Sequence, residues 1–324
     1  MYMLKYILKR IGLMLMTFLI IFVMCFVLIK LLPFEMTVDI GKDPEVIKKL
    51  YEARGFFDPI PKQFYMYIKR IVLDWDFGYC FKTPEHYNQP VWEVFVTKLP
   101  PTILINIYSS LFAVPIGIAL GIFAALKKNK WQDHTISTAV MVFISVPSFV
   151  YASLVLYIFC FKIPIFKYKT ILSQTAAGGY FTWKMFVSMI PAILSMSFGS
   201  IAGYARGTRA ELTEVLTSEF MLLARTKGLT KSQATVRHAL RNAMVPIFPS
   251  IIGEFVGVLS GSLVIEKIFG IPGVGGLYLT SITYMDYDLF MLLSAFYVFV
   301  GLAAGLVVDL SYGIIDPRIR MGAR

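Results

Sequence analysis

Long apolar runs separated by short basic segments dominate the pattern along this chain. A membrane-spanning helix needs about 20 consecutive, mostly apolar residues, and several segments meet that requirement. They are Ile11–Leu32, Leu99–Leu126, Thr135–Phe161, Met185–Ala205, about Met244–Ile265, and Leu289–Val308. The pattern therefore predicts an all-α integral membrane protein with six transmembrane helices.

The composition excludes a soluble fold of ordinary type. Hydrophobic residues make up 57% of the 324 residues and charged residues 16%, whereas soluble domains have about 45–50% and about 25%. The uncharged run from Ile11 to Ile29 is longer than the roughly 7–15 apolar residues of a cleaved signal sequence, so it is interpreted as a retained first helix. The formal net charge is +11, and the lysines and arginines lie between the apolar runs. This arrangement is typical of loop charges that set the orientation of a membrane protein, and it does not indicate a nucleic-acid-binding surface.

The positions of the basic residues predict the orientation, because basic residues are enriched in cytoplasmic loops. Most basic groups fall on one side if both termini are cytoplasmic; these are Lys5, Lys9, Arg10, Lys127, Lys128, Lys130, Arg206, Arg209, Arg225, Lys227, Lys231, Arg237, Arg241, Arg318, Arg320 and Arg324. One loop disagrees, since it would place Lys162, Lys167, Lys169 and Lys184 outside. The expected division is an N-terminal helix (1–32), an extracytoplasmic segment (33–98) and a permease domain (99–324) with a cytoplasmic loop at 206–241.

Strong helix signals occupy this cytoplasmic loop. Ser218 is expected to cap a helix that begins at Glu219, whose charge suits the positive end of the helix dipole. The helix would run to Lys227 at the negative end, and Gly228 follows as a C′ residue with positive φ.

A second helix is predicted directly after this glycine. Thr230 and Gln233 have the spacing of a capping box. Apolar residues then recur at helical spacing and predict one buried stripe of Val236, Ala239, Leu240, Ala243 and Met244, with Arg237, His238, Arg241 and Asn242 facing elsewhere. Periodicity alone leaves two interpretations open: a linker on the membrane surface, or a docking element for a soluble partner.

The residues of this loop resemble a known signature. Ala224-Arg-Thr-Lys-Gly228 and Arg237-His-Ala-Leu-Arg-Asn-Ala243, followed by Pro246, are similar to the permease signature loop of ABC importers, and most similar to its oligopeptide/dipeptide/nickel branch. Ala224, Gly228 and Leu240 match the general family pattern. The chain departs from that pattern at Leu222 (Glu in the family), His238 (Ile) and Arg241 (Pro), and the peptide branch commonly departs there too.

The resemblance extends along nearly the whole chain. Further similar segments are Lys98-Leu-Pro-Pro-Thr102, Ala124–Asp133, Ser145-Val-Pro-Ser-Phe149, Asp74-Trp-Asp-Phe-Gly78, Glu266–Gly275 and Asp316-Pro-Arg318. One departure is Pro33-Phe-Glu-Met36, where the branch often has Pro-Gly-Asp-Pro.

The resemblance implies a multi-pass subunit of a bacterial cytoplasmic membrane importer, the first permease of a pair. The implied partners are a second homologous permease, two cytoplasmic ATPases that carry the ATP and Mg, and an extracytoplasmic substrate-binding protein. It also implies that the loop couples to the ATPases through Glu219, Ala224, Arg225, Lys227, Gly228, Arg237, His238, Leu240, Arg241 and Asn242.

The sequence contains no sign of enzymatic chemistry. No Gly-x-x-x-x-Gly-Lys-Ser/Thr loop occurs, so this chain is not expected to cradle ATP. His86, His134 and His238 are isolated in the sequence, so no metal site and no catalytic residue are expected.

Two features within the spans bear on transport. Glu254 is essentially the one ionisable residue deep inside a predicted span, which makes it a candidate pore residue. An ion-coupled secondary transporter is therefore the alternative to an ATP-driven importer. Gly117 and Gly121 predict close packing between two helices, and the interface of a permease dimer is one location where such packing could occur. Di- and oligopeptides are the expected substrates, with nickel or another small solute as the alternative.

Overall fold

The structure is a computed structural model that describes residues 2–32, 44–53 and 55–315. The segment Pro33–Met36, where the sequence departs from the family pattern, and the tail motif Asp316–Arg318 lie outside the described residues. The described part is helical and contains one isolated β-bridge, Tyr79–Pro90. The chain divides into two compact units, formed by residues 1–99 with 277–302 and by residues 100–276 with 303–324.

The first unit contains the N-terminal helix and the segment that follows it. Its elements are α1 (Tyr2–Leu31), α2 (Pro44–Ala53), α3 (Ile60–Asp74), a 3₁₀ turn (Pro84–His86), the first turns of α4 (Val91–Leu126), most of α13 (Val274–Thr283) and the first half of α14 (Tyr287–Ile315). Buried aromatic residues of α1 and α3, among them Phe26 and Tyr67, form its core with Met291. The segment after the first span therefore contains two short helices, α2 and α3.

The second unit contains the remaining helices. They are α5 (Trp131–Ser145), α6 (Ser148–Val155) with a π turn (Leu156–Lys162), α7 (Gln174–Ala177), α8 (Trp183–Leu216), α9 (Glu219–Thr226), α10 (Lys231–Ala234), a π turn (Thr235–Ala239), α11 (Leu240–Gly257) and α12 (Leu263–Ile268). The rest of α4 and the end of α14 also belong to it. Ile105, Met189 and Phe269 are among the residues that fill its largest core.

The helices bear out the membrane fold, and they give four or five spans by length and composition. Four described helices are long and apolar enough to cross a membrane: Lys5–Leu31, Val91–Leu126, Trp183–Leu216 and Tyr287–Ile314. A fifth is obtained if α5 and the helix Ser148–Lys162 are one span, although the pair is bent by 102°. The third predicted span is thus not one continuous helix, because Pro147 lies between the two parts and removes a backbone donor.

The predicted fifth span is also interrupted. It begins in α11, which ends at Gly257, and the chain adopts positive φ at Gly261 before α12 begins. Two prolines and Glu254 reduce the apolar character of α11, so six spans remain a prediction.

The predicted loop at 206–241 begins later than expected. Arg206 and Arg209 lie inside α8, which continues without a break to Leu216. A helix of 34 residues is about 51 Å long at 1.5 Å per residue, longer than the roughly 30 Å of a hydrocarbon core. Part of α8 therefore extends beyond the membrane.

The close packing predicted for Gly117 and Gly121 occurs within this chain. A Cβ on Gly117 would lie 2.6 Å from Cβ of Tyr204, and one on Gly121 would lie 2.7 Å from the carbonyl oxygen of Ala205. Both glycines are on α4 and both neighbours are on α8, so the missing side chains let these two helices approach each other. A permease dimer is not needed to explain them.

Candidate functional site: the elbow and the α8–α11 groove

The segment Glu219–Asn242, here called the elbow, begins almost directly where α8 ends. Ser218 has the extended backbone of an N-cap, but its hydroxyl donates to the carbonyl of Val215 at 2.5 Å and caps nothing in α9. The last carbonyls of a helix lack partners within it, and here they take the hydroxyls of both Ser218 and Thr217. The predicted side-chain cap by Ser218 is therefore wrong.

The turn after α9 has the predicted glycine geometry. Gly228 has φ +91°, and its N–H donates to the carbonyl of Arg225 at 3.0 Å. The Leu229 N–H donates to the carbonyl of Ala224 at 3.4 Å. These two bonds form a Schellman motif, which fixes the angle at which the chain leaves α9.

The second half of the elbow starts with the predicted capping box. The Gln233 N–H donates to the Thr230 hydroxyl at 3.3 Å, and the Thr230 N–H donates to the side-chain oxygen of Gln233 at 3.1 Å. Because one residue separates Gly228 from this cap, both helices of the elbow are set in direction by local hydrogen bonds.

One face of the elbow packs on the rest of the second unit. Met221 and Ala224 of α9 are buried together with Ala234, Ala239 and Ala243, against Leu212 of α8 and Ala125 of α4. Leu240 is partly buried against the same cluster. Ala224 and Leu240, two of the predicted coupling residues, are therefore packing residues of the elbow.

The predicted apolar stripe of the second helix is wrong at its first member. Val236 is 61% exposed, and Thr235 occupies the inward position at 5%. Residues 235–239 form a π turn, in which the Leu240 N–H reaches back to the carbonyl of Thr235. A π turn inserts one extra residue per turn, so it rotates Val236 away from the face that Ala239 and Ala243 share.

The opposite face of the elbow is exposed and carries large apolar side chains. Leu222 is 64% exposed, Leu223 56%, Val236 61% and Phe220 42%. The other predicted coupling residues are exposed as well: Glu219, Arg225, Lys227, Gly228, Arg237, His238, Arg241 and Asn242. Exposed apolar side chains together with charged ones are typical of a protein interface. The sequence prediction missed the apolar members because α9 is apolar on more than one side.

Glu254 lies on α11 and faces α8. The Ser200 hydroxyl donates to Oε1 of Glu254 at 2.9 Å, and the Tyr204 hydroxyl donates to the Ser250 carbonyl at 3.1 Å. Between the two helices runs a groove of about 430 Å³ lined by Ser200, Gly203, Tyr204, Gly207, Thr208, Glu211, Pro246, Ile247, Ser250 and Glu254. A Cβ added to Gly203 or Gly207 would meet no atom within 4 Å, so backbone forms an open wall of this polar groove.

An ion pair braces α8 between the groove and the elbow. Asp133 of α5 is 1% exposed and accepts two hydrogen bonds from the Arg209 guanidinium, the one from Nη2 at 2.8 Å. It also accepts from the Asn129 N–H and the Ser137 hydroxyl. Arg209, which the sequence analysis used only as a loop charge, is thus the partner of Asp133. The two residues are 76 positions apart, and no local pattern predicts their pairing.

Glu266 is buried within the segment Glu266–Gly275. Its Oε1 accepts from the Thr102 hydroxyl at 3.0 Å, and its Oε2 accepts from the N–H groups of Gly275 and Gly276 at 2.8 and 3.3 Å. A Cβ on Gly273 would clash with Oε2. The glycines of this segment therefore make room for a carboxylate that holds the turn between α12 and α13.

Within the described residues, no group of three or more His, Cys, Asp or Glu side chains could hold a metal ion. The predicted site residues fall into two places in the second unit. The elbow holds the predicted coupling residues, and the groove holds Glu254.

Two family models match most of the chain. The model described as "Binding-protein-dependent transport system inner membrane component" matches residues 117–321. The model described as "Binding-prot-dependent transport system membrane comp, N-term" matches residues 3–106.

Similar proteins match over nearly the full length. The dipeptide transport system permease protein DppB of Bacillus subtilis (strain 168) is 32% identical over 319 residues, which cover 98% of each chain. The oligopeptide transport system permease protein OppB of Haemophilus influenzae is also 32% identical, over 98% of this chain and 100% of its own. Among solved structures, an amino acid ABC transporter crystallised with histidines matches with TM-score 0.51 at 19% identity, over 69% of this chain and 94% of its own. That likeness concerns the fold alone.

Proposed function

We propose that this chain, which belongs to the binding-protein-dependent transport system inner membrane component family, forms half of the translocation pathway of a peptide importer driven by ATP hydrolysis on separate subunits. The full-length similarity to dipeptide and oligopeptide permeases supports the peptide substrate. The exposed apolar and basic side chains of the elbow are the observation that carries the coupling role.

The proposed partners are a second homologous permease, two cytoplasmic ATPases and an extracytoplasmic binding protein. ATP and Mg would be held by the ATPases. The ATPases would bind the elbow through Phe220, Leu222, Leu223 and Val236, with the exposed basic residues contacting acidic groups at the rim. This arrangement requires the elbow to be cytoplasmic, which agrees with the prediction that both termini are cytoplasmic in a bacterial inner membrane.

The packed face of the elbow supports a lever mechanism. Ala224 and Ala239 attach the elbow to the end of α8, and the Asp133–Arg209 pair attaches α8 to α5. A displacement of the elbow by a closing ATPase dimer would therefore be passed to α8 and to its groove as a movement of packed elements.

Glu254 is proposed to line the substrate pathway. Its hydrogen bond within the described residues comes from the neutral Ser200 hydroxyl, so the carboxylate retains capacity to accept from the amino group of a peptide. Ser200, Thr208 and Glu211 add polar groups along the same groove.

Uptake by the complete importer in sealed membrane vesicles tests this function. Labelled di- or tripeptide uptake should require ATP and co-expressed ATPase subunits, and it should survive collapse of the proton gradient. Uptake driven by a proton gradient without nucleotide would instead establish an ion-coupled transporter. In that case Glu254→Gln should abolish the gradient-driven uptake, because Glu254 is the carboxylate available within the predicted spans.

A further inference from the structure

Helix α3 of the first unit packs one of its faces on α1. Tyr67 is buried in one hydrophobic cluster with residues of α1, and three partly buried residues of α3 pack against that cluster. The α1 members are Phe22, Phe26 and Ile29, and the partly buried α3 residues are Phe64, Ile68 and Ile71. The ring centroids of Phe26 and Phe64 are 5.1 Å apart, and those of Phe26 and Tyr67 are 5.8 Å apart. The two helices are therefore in direct contact along the last turns of α1.

These contacts set the depth of α3 relative to a membrane. The uncharged part of α1 runs from Ile11 to Ile29, and its length of about 28 Å at 1.5 Å per residue matches a hydrocarbon core of about 30 Å. The ring contacts with α3 come from Phe22 and Phe26, and Ile29 belongs to the same cluster. A bilayer that covers the apolar part of α1 therefore also surrounds α3 within the leaflet at the C-terminal end of α1.

The opposite face of α3 is exposed and carries apolar side chains beside two exposed lysines, Lys62 and Lys69. Val72 is 72% exposed, Leu73 67%, Tyr65 64% and Met66 45%. Water would contact all four side chains if α3 projected from the membrane, and such an exposed apolar surface marks an interaction site. Lys69 is exposed on the same side, and a lysine can bury its aliphatic stem in lipid while its ammonium group reaches the headgroups.

An aromatic cluster lies directly after α3. Trp75 follows α3 directly, is 63% exposed, and lies 5.5 Å from Trp92, centroid to centroid. Phe77 stacks on Trp92 at 5.3 Å. Trp92 is at the start of the candidate span Val91–Leu126. Tryptophan is enriched at membrane–water interfaces, so this end of α3 and the start of α4 fit one interfacial belt.

We propose that α3 is embedded in the lipid leaflet at the C-terminal end of α1, as an interfacial helix with its exposed face on the acyl chains. Tyr65, Val72 and Leu73 would contact lipid, and Lys62 and Lys69 would reach the phosphate headgroups. Lipid is favoured over a protein partner because this face lies at the depth of the apolar part of α1, where Met24 and Leu28 are also exposed, by 56% and 60%. The inference does not depend on the proposed transport function.

Fluorescence quenching of single cysteines tests the inference on the full-length chain in liposomes. The native cysteines are first replaced by alanine: Cys25, Cys80 and Cys160. Val72→Cys and Leu73→Cys are labelled with an environment-sensitive fluorophore, and Lys48→Cys on the exposed part of α2 is the control, since its side chain is 61% exposed. Nitroxide-labelled acyl chains and aqueous iodide serve as the two quenchers, and each measurement is repeated with the other importer subunits co-expressed.

The expected result is loss of fluorescence at positions 72 and 73 with nitroxide lipid and little loss with iodide, whether or not other subunits are present. The control should show the reverse. Quenching of both α3 probes by iodide would place this face in water and overturn the proposal. Protection from both quenchers only when other subunits are present would show that a protein covers α3, and would overturn it equally. Neither readout uses transport, so failure of the peptide-import proposal would leave this result unaffected.

Discussion

Replacement of Gly228 by valine should uncouple the elbow without harming the membrane fold. Gly228 has φ +91°, and a Cβ added there would meet no atom within 4 Å. The penalty is therefore confined to the backbone, where a side chain at positive φ costs about 1–2 kcal/mol. That energy corresponds to a factor of about 5–30 in the equilibrium between the native turn and an alternative one. Loss of the Schellman bonds would change the angle between α9 and the capped restart at Thr230.

The assay measures substrate-stimulated ATP hydrolysis and copurification of the ATPase subunits. Gly228→Val should reduce both several-fold while membrane insertion and pairing with the second permease stay normal, because the buried cluster around Leu212 does not include Gly228. Gly228→Ala should be milder, and Gly228→Asn milder still, because asparagine tolerates positive φ better than other residues with a side chain.

Ser232→Val is the matched control, since Ser232 is an exposed residue of α10 with no part in the turn. It should leave both readouts near those of the unmodified chain. Full coupling in Gly228→Val, or equal damage in Ser232→Val, would show that the turn geometry does not control docking, and the coupling role of the elbow would be wrong.

Two further predictions concern the brace on α8 and a buried thiol. Arg209→Met should lower the melting temperature in detergent, because the nearly buried Asp133 loses its partner. Removing one partner of a fully buried ion pair typically costs about 3–5 kcal/mol of stability. A smaller loss is expected here, since the Arg209 side chain is 34% exposed. The double variant Asp133→Leu with Arg209→Met should recover part of the loss, and a double variant less stable than Arg209→Met would refute the pairing argument. Burial, reinforced by Asp286 and Asp288, raises the pKa of the Cys80 thiol to about 12, so iodoacetamide at about pH 8.5 should alkylate Cys80 only after denaturation. Rapid alkylation in intact membranes would show that this part of the first unit is open to water.

Local signals in the sequence were sufficient for the turn of the elbow. Gly228 needs only its own backbone freedom, and Thr230 and Gln233 are three positions apart, so the residues that make these structures are neighbours in sequence. The apolar runs likewise report directly on the membrane environment of the helices they form.

Competition with other elements explains what the sequence did not reveal. The Ser218 hydroxyl binds the end of α8 because α8 runs further than its apolar part indicates. The π turn at 235–239 follows from packing of small residues against Leu212, which no periodicity of a regular helix predicts. Arg209 and Asp133 pair only because α5 and α8 pack together, and a single sequence contains no trace of that contact.

The bend between α5 and α6 decides on which side of the membrane the elbow lies. If α5 and α6 together cross the bilayer, then four crossings separate the N-terminus from α9, and an even number returns the chain to its starting side. If the pair enters and leaves by the same face, three crossings remain and the elbow lies opposite the N-terminus. Lys5, Lys9 and Arg10 before the first span and the basic residues of the elbow favour a common side. These charges therefore favour the first case, in which α5 and α6 together cross the bilayer although the pair is bent by 102°.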